Sequence, residues 1–526
     1  MIVELNDIID SLTNEKDICI IGAGPVGICL AIKLARLGRE VLLLESGGRH
    51  HESFAQELYS GTTEGLNFDG LSEGRFRGVG GTSTQWGGQI LEIDEHIFPN
   101  RPWIEGSGWL FNKDELQPFY DEAIEYEGLK DSITDPKEIW KKREISPLDL
   151  GEHFIHGISS WCQIRDFSDL YRNELKTLPN LTLALHANVT EFKLNSQRNK
   201  ITSIICRHKE NRAIEIKASI FVLCTGGIET SRLLLFPISD GKLAPWQVND
   251  QVGRFFQDHL VANIATVKPI NLTDPDKFFD YFSLNGWRYH PKLKLSSMHQ
   301  EQLKMLDVGG TVTFVTNGVD DLSQAFVTIK SLKSRRFDKL NFHNLTHLML
   351  CSHKLLWHKI PLMQKLMKAT KTKSTTLSLV AHCEQSPLSD SIVRLSDQKD
   401  KLGLPQVHLE WRLSNQELHS LRSYALSAKK AFESKGLAEI EIDKRLLDCN
   451  TEFTSEIKEG HHHIGGARMS LSPKDGVVDI NLKIHDMTNT YICSSAVFPC
   501  TGFVNPTHTT IALALRLADH LNISTF

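Results

Sequence analysis

The chain has 526 residues, of which 40% are hydrophobic, and a formal net charge of −5. This length exceeds what a single hydrophobic core usually supports, so two or more domains are expected. The modest negative charge gives no reason to expect a nucleic-acid partner. No apolar run reaches the length of a membrane span, and residues 1–16 lack the basic start and apolar centre of a signal peptide. We therefore expect a cytoplasmic protein.

The ten cysteines show no metal-ligand spacing, and several of them (Cys19, Cys29 and Cys224) lie inside apolar segments. This usage is typical of reduced, buried thiols. The sequence therefore predicts no disulfide framework and no metal site.

The first fifty residues contain a strand, a glycine turn, a helix and a second strand. In chain order these are Ile18–Ile21, the glycines Gly22, Gly24 and Gly27, the helix Ile28–Leu37, the strand Val41–Leu44, and then Glu45. The glycines allow a tight turn and bring a pyrophosphate close to the helix N-terminus. Glu45 follows at about twenty residues, where a carboxylate can hold a ribose hydroxyl. We predict dinucleotide binding rather than an ordinary βαβ crossover.

Two further segments have the same character. Residues 78–88 form a dense glycine cluster, whose backbone amides can lie against a planar ring or a phosphate. The alternative is a surface loop, but Trp86 is an unfavourable residue to leave in one. A strand predicted over Ile214–Leu223 ends at Thr225-Gly-Gly227, before a helix predicted over Leu233–Phe236. This is a second backbone approach to the same dinucleotide.

Residues 266–454 differ in pattern, because strand-like runs alternate with long connections and no glycine fingerprint appears. We predict a largely antiparallel domain. Within it, Lys330 to Lys373 is strongly basic. Two interpretations remain open: a helical hairpin with a solvated basic face, or a contact site for a membrane surface or an anionic partner.

The last seventy residues carry the motifs Gly460 to Met469 and Ala496 to Thr507, followed by a helix predicted over His508–Leu521. Together with the earlier motifs, their order and spacing resemble the glucose-methanol-choline (GMC) oxidoreductases, a family of FAD enzymes. The segments that carry the resemblance are Gly22 to Gly27 with Glu45, Gly80 to Gly88, Thr225 to Arg232, Val252 to His259, His462 to Met469, and Ala496 to Thr507. Their style is similar to the branch with pyranose oxidase and the fructose and gluconate dehydrogenases.

The resemblance implies an α/β (α+β) fold with a discontinuous, Rossmann-like FAD domain and a substrate domain built on an antiparallel sheet flanked by helices. The expected boundaries are 1–265 for the FAD domain, with a lid-like insertion near 89–160, 266–454 for the substrate domain, and 455–526 for a C-terminal return to the FAD domain.

The family's catalytic residues correspond to His462 and Asn505. A neutral imidazole can accept a proton at working pH, and an asparagine amide can donate to a developing alkoxide. His461 and His463 are expected to be neighbours that pack or support. His508 lies either in the pocket or simply at the start of a helix.

The cofactor-binding candidates come from all three parts of the FAD domain. They are Gly22, Gly24, Gly27, Glu45, Gly80, Gly81, Thr82, Thr84, Trp86, Gly87, Gly88, Val189, Thr225, Gly226, Glu229, Arg232, Ala496, Asn505, Pro506 and Thr507. Gln85 stands where several relatives have a histidine that bonds covalently to the flavin. Since glutamine cannot form that bond, we predict non-covalent FAD.

Three functional hypotheses follow. The first is an enzyme that oxidises an alcohol of a sugar, glycoside or polyol and passes the electrons to a quinone, oxygen or another acceptor. The second is an enzyme for a lipid, aryl or other non-sugar alcohol, with the basic stretch at 330–373 as a membrane or substrate contact. The third is a flavin-binding protein without turnover, which the presence of both His462 and Asn505 disfavours.

Overall fold

The computed structural model describes residues 1–8, 16–208, 212–238, 241–316 and 375–524. The basic stretch predicted as a helical hairpin or contact site, Lys330 to Lys373, lies outside the described residues.

Strands and helices are numbered here in chain order over the described residues. The strands β1 to β21 are Ile2–Glu4, Lys16–Ile21, Val41–Leu44, Gly61–Gly65, Gln89–Ile90, Phe154–Trp161, Leu181–Leu185, Asn188–Leu194, Ile201–Arg207, Ala213–Ile216, Ala218–Leu223, Leu260–Pro269, Phe282–Leu284, Trp287–Leu295, Val308–Thr316, Thr375–Cys383, Ile392–Lys399, Pro405–Trp411, Ala438–Ile442, Lys458–Glu459 and Thr490–Ile492. The α-helices α1 to α12 are Pro25–Arg36, Ser53–Glu57, Lys113–Tyr126, Pro136–Lys142, Phe167–Leu170, Glu174–Thr177, Gly226–Leu235, Asp276–Phe279, Ser297–Gln302, Asn415–Ser434, Lys444–Leu447 and Thr507–Ser524.

The first layer is a six-stranded parallel sheet in the order β1-β7-β3-β2-β11-β21. Its central strands are buried apolar runs, as expected for a parallel sheet covered on both faces. Helices α1 and α12 pack against each other beside the sheet. Because the strand order reverses around β2, the carboxyl ends of β2, β3 and β11 meet at the crevice where such sheets bind ligands.

The second layer is a nine-stranded antiparallel sheet, built on β19-β12-β16-β15-β14-β6-β5 with β13 and β20 beside it. Helix α10 packs on this sheet through buried Leu421, Tyr424 and Phe432. A capping box, in which Ser414 and Glu417 bond reciprocally, begins the helix. The expected fold class, a Rossmann-like domain with an antiparallel substrate sheet, matches these two layers. The insertion predicted near 89–160 contributes β5 and β6 to the second sheet, and the domain boundaries stay a prediction.

Three local predictions differ from the structure. The strand predicted over Ile214–Leu223 is two strands, β10 and β11, which break at Lys217 and belong to different sheets. The helix predicted over Leu233–Phe236 is α7, which begins at Gly226; its first turn needs glycines, because Gly226 has a φ of +74° and a Cβ on Gly227 would lie 2.5 Å from the carbonyl oxygen of His463. The sequence also predicts one helix over Phe167–Lys176, where the structure has the pair α5 and α6.

The described part of the chain contains nine cysteines, all free, and eight of them are buried. No helix among the described residues is long and apolar enough to cross a bilayer.

Candidate active site

A cavity of about 490 Å³ opens at the carboxyl ends of β2, β3 and β11 and extends to the C-terminal motifs. All three glycine-rich segments and both C-terminal motifs reach it. Of the predicted cofactor-binding residues, those that line it are Gly22, Gly24, Glu45, Gly81, Thr82, Trp86, Gly87, Gly88, Val189, Thr225, Gly226, Glu229, Asn505, Pro506 and Thr507. Segments that are distant in sequence therefore border one cavity.

The first glycine turn is built by close backbone packing. Gly22 has a φ of +106°, and a Cβ there would lie 2.6 Å from the carbonyl oxygen of Cys224. A Cβ on Gly27 would lie 2.0 Å from the carbonyl oxygen of Gly22. A Cβ on Gly24, by contrast, would have no atom within 4 Å, since this residue faces the open cavity at the start of α1. The first and third glycines thus shape the turn, and the second leaves room for a ligand.

Glu45 lies at the end of β3 with its side chain buried. Its carboxylate accepts hydrogen bonds from the backbone N–H of Ala23 at 3.0 Å and of Gly47 at 2.9 Å. These bonds fix the carboxylate at the cavity wall, where the glycine turn ends.

The second glycine cluster packs directly on the first. The backbone N–H of Gly80 donates to the carbonyl of Ala23 at 2.8 Å, and a Cβ on Gly81 would lie 2.9 Å from the Cα of Gly24. Gly80 lies behind the cavity, against Asp166, and Thr84 bonds to the carbonyl of Gly81 rather than lining the cavity.

A buried ion network forms the wall next to α7. The carboxylate of Glu229 lies 2.9 Å from the guanidinium of Arg77 and 3.2 Å from that of Arg232. Burial alone would raise the pKa of Glu229, but the arginines outweigh it and lower the pKa to about 2. Arg232 does not line the cavity: it pairs with Asp400 at 2.6 Å and holds two backbone carbonyls.

The residues present fit an anionic dinucleotide such as FAD. Arg77 lines the cavity, and its buried Nε has no hydrogen-bond partner among the described residues. The N-termini of α1 and α7 both open onto the same space, neither has a side-chain cap, and each directs a positive dipole end there. A Cβ on Gly226 would, like one on Gly24, meet nothing within 4 Å. A pyrophosphate would satisfy these donors.

At the other end of the cavity, His462 meets Asn505. The Nε2 atom of His462 lies 2.7 Å from the side-chain nitrogen of Asn505. On its other side, His462 Nδ1 lies 2.8 Å from Nδ1 of His259. His259 in turn directs its Nε2 at the carbonyl oxygen of Gly502, at 2.7 Å, and at the hydroxyl of Thr501, at 2.8 Å.

This chain of contacts fixes where the protons lie. A carbonyl only accepts, so His259 Nε2 carries a hydrogen and donates it to Gly502. Burial lowers the pKa of His259 to about 4, so its ring is neutral and Nδ1 is an acceptor. His462 Nδ1 must therefore donate to it. Burial, together with the nearby His259 and His461, lowers the pKa of His462 well below its usual range, which leaves Nε2 bare to accept from the Asn505 amide.

The backbone around this pair is fixed by Asp258. Its Oδ1 accepts from the backbone N–H of His462 at 2.8 Å and of His259 at 2.7 Å. Burial raises the pKa of the Asp258 carboxyl to about 8. One buried side chain thus holds both histidine segments at a common position.

The other histidines have separate surroundings. His461 and His463 line the cavity beside His462, and His463 packs on Phe68 with ring centroids 5.7 Å apart. His508 does not line the cavity. Its Nδ1 lies 2.8 Å from a carboxylate oxygen of buried Glu127, so it belongs to the contact between α12 and α3.

Three more predicted residues differ in their relation to the cavity. Gly27 shapes the turn without reaching the cavity, Ala496 is buried behind it, and Val189 lines it from β8. Sequence reasoning did not assign several residues that line the cavity, notably Tyr59, Phe76, Arg77, Gln89 and Trp161, nor the role of His259 beside it. His259 lay inside a motif quoted for the resemblance, which was its one available signal.

Known proteins resemble this chain over most of its length. A family model described as FAD dependent oxidoreductase matches residues 17–283, and one described as GMC oxidoreductase matches residues 387–514. The chain is 22% identical to the fructose dehydrogenase large subunit of Gluconobacter japonicus, over 96% of this chain and 98% of that protein. It is 22% identical to the 2-methyl-1,2-propanediol dehydrogenase of Mycolicibacterium austroafricanum, over 97% of this chain and 95% of that protein. It is 23% identical to the paromamine 6'-oxidase of Streptomyces fradiae, over 95% of this chain and 90% of that protein. Among solved structures, pyridoxine 4-oxidase from Mesorbium loti matches with a TM-score of 0.57 at 17% identity, over 96% of this chain and 99% of that one.

Proposed function

This chain belongs to the GMC family of FAD-dependent oxidoreductases, and we propose that it oxidises a hydroxyl-bearing carbon of a sugar, glycoside or other polyol to a carbonyl. The observation that carries the proposal is the bare Nε2 of His462, held 2.7 Å from the Asn505 amide at the edge of the cavity. The relatives named for fructose, a propanediol and paromamine support this class of substrate.

In the proposed reaction, His462 Nε2 takes the proton of the substrate hydroxyl. The amide of Asn505 donates to the same oxygen and stabilises the negative charge that develops on it. The neutral His462 is suited to this role because a protonated ring could not accept. Bound FAD supplies the acceptor for the hydride that leaves the carbon. His259 keeps His462 in the required tautomer, and Asp258 fixes both backbones.

We further propose that the FAD is dissociable. Gln85 lines the cavity at the position where several relatives carry a linking histidine, and its amide cannot form the bond. Heat or acid precipitation of the protein should leave all of the yellow colour in the supernatant. Flavin that remains on the precipitated polypeptide would overturn this part of the proposal.

The reaction is tested by mixing the protein anaerobically with sugars, glycosides, polyols and non-sugar alcohols. Reduction of the flavin is measured as the loss of its absorbance. His462→Ala should abolish reduction by the best substrate, and Asn505→Ala should slow it by about 100-fold, as for other single oxyanion donors. A matched control is His419→Gln, since His419 is an exposed histidine on α10 that bonds to the carbonyl of Leu303.

Equal reduction rates in wild type and His462→Ala would contradict the assigned base. Reduction only by lipid or aryl alcohols would favour the second substrate class, and no reduction by any alcohol would favour a flavin-binding protein without turnover. Re-oxidation of the reduced protein by air or by a quinone then identifies the class of electron acceptor.

A further inference from the structure

Three side chains that suit a metal ion, none of which lines the cavity, come together at one edge of the parallel sheet. Glu4 lies in β1, His186 in the turn between β7 and β8, and His208 just after β9. One ligand atom from each lies within 4.8 Å of the other two. The sequence gives no sign of this cluster, because the three residues are separated by most of the N-terminal half of the chain.

The fold brings them together for a simple reason. Strand β1 pairs with β7 in parallel register, with Glu4 opposite Leu185, so Glu4 and His186 lie at the same end of the sheet. Strand β9 pairs with β8, with Arg207 opposite Asn188, so the chain after β9 returns to the turn that carries His186. The imidazoles of His186 and His208 are 5.5 Å apart, with their planes at 79°.

His186 is held between two carboxylates. Its Nδ1 lies 2.5 Å from Glu4 Oε2, and its Nε2 lies 2.9 Å from Glu52 Oε2. A neutral imidazole carries one N–H, so it can donate to one of these carboxylates and presents a lone pair to the other. A cation between the ring and one carboxylate, either a proton or a metal ion, removes the conflict.

The position of His208 favours a metal over a proton. This side chain is buried, with 6% of its surface exposed, and its ring faces His186. A proton held between His186 and Glu4 does not require a second imidazole beside it, whereas an imidazole at this distance is a good ligand for a metal ion. Two imidazoles and one carboxylate, with a water in the fourth position, form a common zinc coordination set.

The second contact of His186 fits the same assignment. Histidine ligands usually donate their other ring N–H to a carboxylate, which fixes the ring and increases its basicity. Glu52 has this relation to His186 Nε2, with its two oxygens at 3.0 Å and 2.9 Å. A Cβ on Gly48 would lie 2.4 Å from Glu52 Oε1, so the backbone there leaves just enough room for this carboxylate.

We propose that Glu4, His186 and His208 form a binding site for a divalent transition metal of the zinc type, with Glu52 orienting His186. The ion would bind His186 Nδ1, a carboxylate oxygen of Glu4 and a ring nitrogen of His208. It would join β1 to the β7–β8 turn and the end of β9. The turn also carries Ala187, which lines the large cavity, so the site borders the region that holds the dinucleotide.

The test uses the purified yellow protein after dialysis against a chelator. Calorimetric titration with Zn²⁺ should show one tight site in the wild type. His186→Asn and Glu4→Gln should lose this binding step, and Glu52→Gln should weaken it by about 10- to 100-fold, the usual effect of losing a carboxylate that orients a ligand. Asparagine suits position 186 because the residue has a φ of +56°. The control is His50→Asn, since His50 is an exposed histidine two positions before Glu52 in the sequence.

The location is checked independently by anomalous scattering at the zinc edge from crystals grown with Zn²⁺. A peak about 2.0–2.2 Å from one atom each of Glu4, His186 and His208 supports the proposal. Retained flavin absorbance and circular dichroism in each variant verify that it has folded. The proposal is wrong if no peak appears at this cluster, or if folded His186→Asn binds Zn²⁺ as tightly as the wild type. Either result would leave a proton as the cation beside His186.

Discussion

The role assigned to His259 gives a prediction that does not require a change to the proposed base itself. His259 Nδ1 is the acceptor for His462 Nδ1–H, at 2.8 Å. In His259→Leu this acceptor is lost. In His259→Asn the side-chain oxygen can take the position of Nδ1, and the amide is too short to restore the bond from Nε2 to the carbonyl of Gly502. The two variants therefore differ mainly in the contact to His462.

The magnitude follows from the cost of an unsatisfied buried donor, about 1–3 kcal/mol. In His259→Leu this cost falls on the tautomer that leaves His462 Nε2 bare, while the opposite tautomer, with the proton on Nε2, avoids it once the Asn505 amide turns its oxygen towards that proton. The population of the reactive form falls accordingly. Since about 1.4 kcal/mol corresponds to a tenfold change in rate, flavin reduction should slow by roughly 5- to 150-fold. His259→Asn should remain within about fivefold of the wild type.

The assay is stopped-flow measurement of anaerobic flavin reduction over a range of substrate concentrations, so that the limiting rate is separated from substrate binding. The limiting rate should fall in His259→Leu while the apparent dissociation constant for substrate changes little. The reasoning is refuted if His259→Leu reduces flavin at the wild-type rate. It is refuted equally if His259→Asn is as slow as His259→Leu, since loss of the contact to Gly502 would then explain the effect.

Three further predictions concern the glycine turn, the proposed base and the nine-stranded sheet. Gly27→Ala should destabilise even the apoprotein by about 1–3 kcal/mol, since its Cβ would lie 2.0 Å from the carbonyl oxygen of Gly22. Gly24→Ala should keep the apoprotein's thermal midpoint but lose FAD, as measured by flavin content, since its Cβ would point into the open cavity. Flavin reduction should be constant from pH 7 to pH 6, because the pKa of His462 is well below 6.5 and Asp258, with a pKa of about 8, stays protonated over this range; a base with the ordinary pKa would lose about two thirds of its rate. Burial lowers the pKa of Lys292 to about 7, so the unfolded chain binds more protons than the folded one between pH 7 and about 10.4. In urea unfolding, the stability of the wild type relative to Lys292→Met should therefore rise by about 2 kcal/mol from pH 7 to pH 9. An unchanged or falling difference would contradict the buried, uncompensated position of this lysine.

The part of the fold that sequence predicts well is the part determined by local pattern. The strands β2 and β3, the glycine turn and α1 follow from a continuous apolar run, three glycines and a helical period within thirty residues. The parallel sheet buries these strands on both faces, so a continuous apolar run is enough to identify them.

The second sheet was less predictable because its strands depend on distant partners. Strand β14 contains Pro291 and Lys292 in a buried stretch, a composition that argues against a central strand, yet it pairs with both β6 and β15. Its proline faces Ile158 of β6 in the register. The pairing of β6 with β14 spans a long stretch of sequence, and no local sequence pattern indicates it.

In the candidate active site, too, some residues could be predicted from the sequence and others only from the structure. Resemblance to a family directed attention to His462 and Asn505, and the structure brings these two within hydrogen-bonding distance. The role of His259 needed coordinates, because it rests on the direction of one ring nitrogen towards Gly502 and of the other towards His462. The cluster of Glu4, His186 and His208 depends on strand register across three segments, which no spacing in the sequence reveals.

The most direct test of the central claim is the position of the proton on His462. Neutron diffraction from crystals of the FAD-bound protein at pH 7, after exchange into deuterated solvent, would locate it. The account predicts deuterium on Nδ1 of His462 and on Nε2 of His259, with none on Nε2 of His462. Deuterium on Nε2 of His462 would contradict it, because that atom could then take no proton from an alcohol.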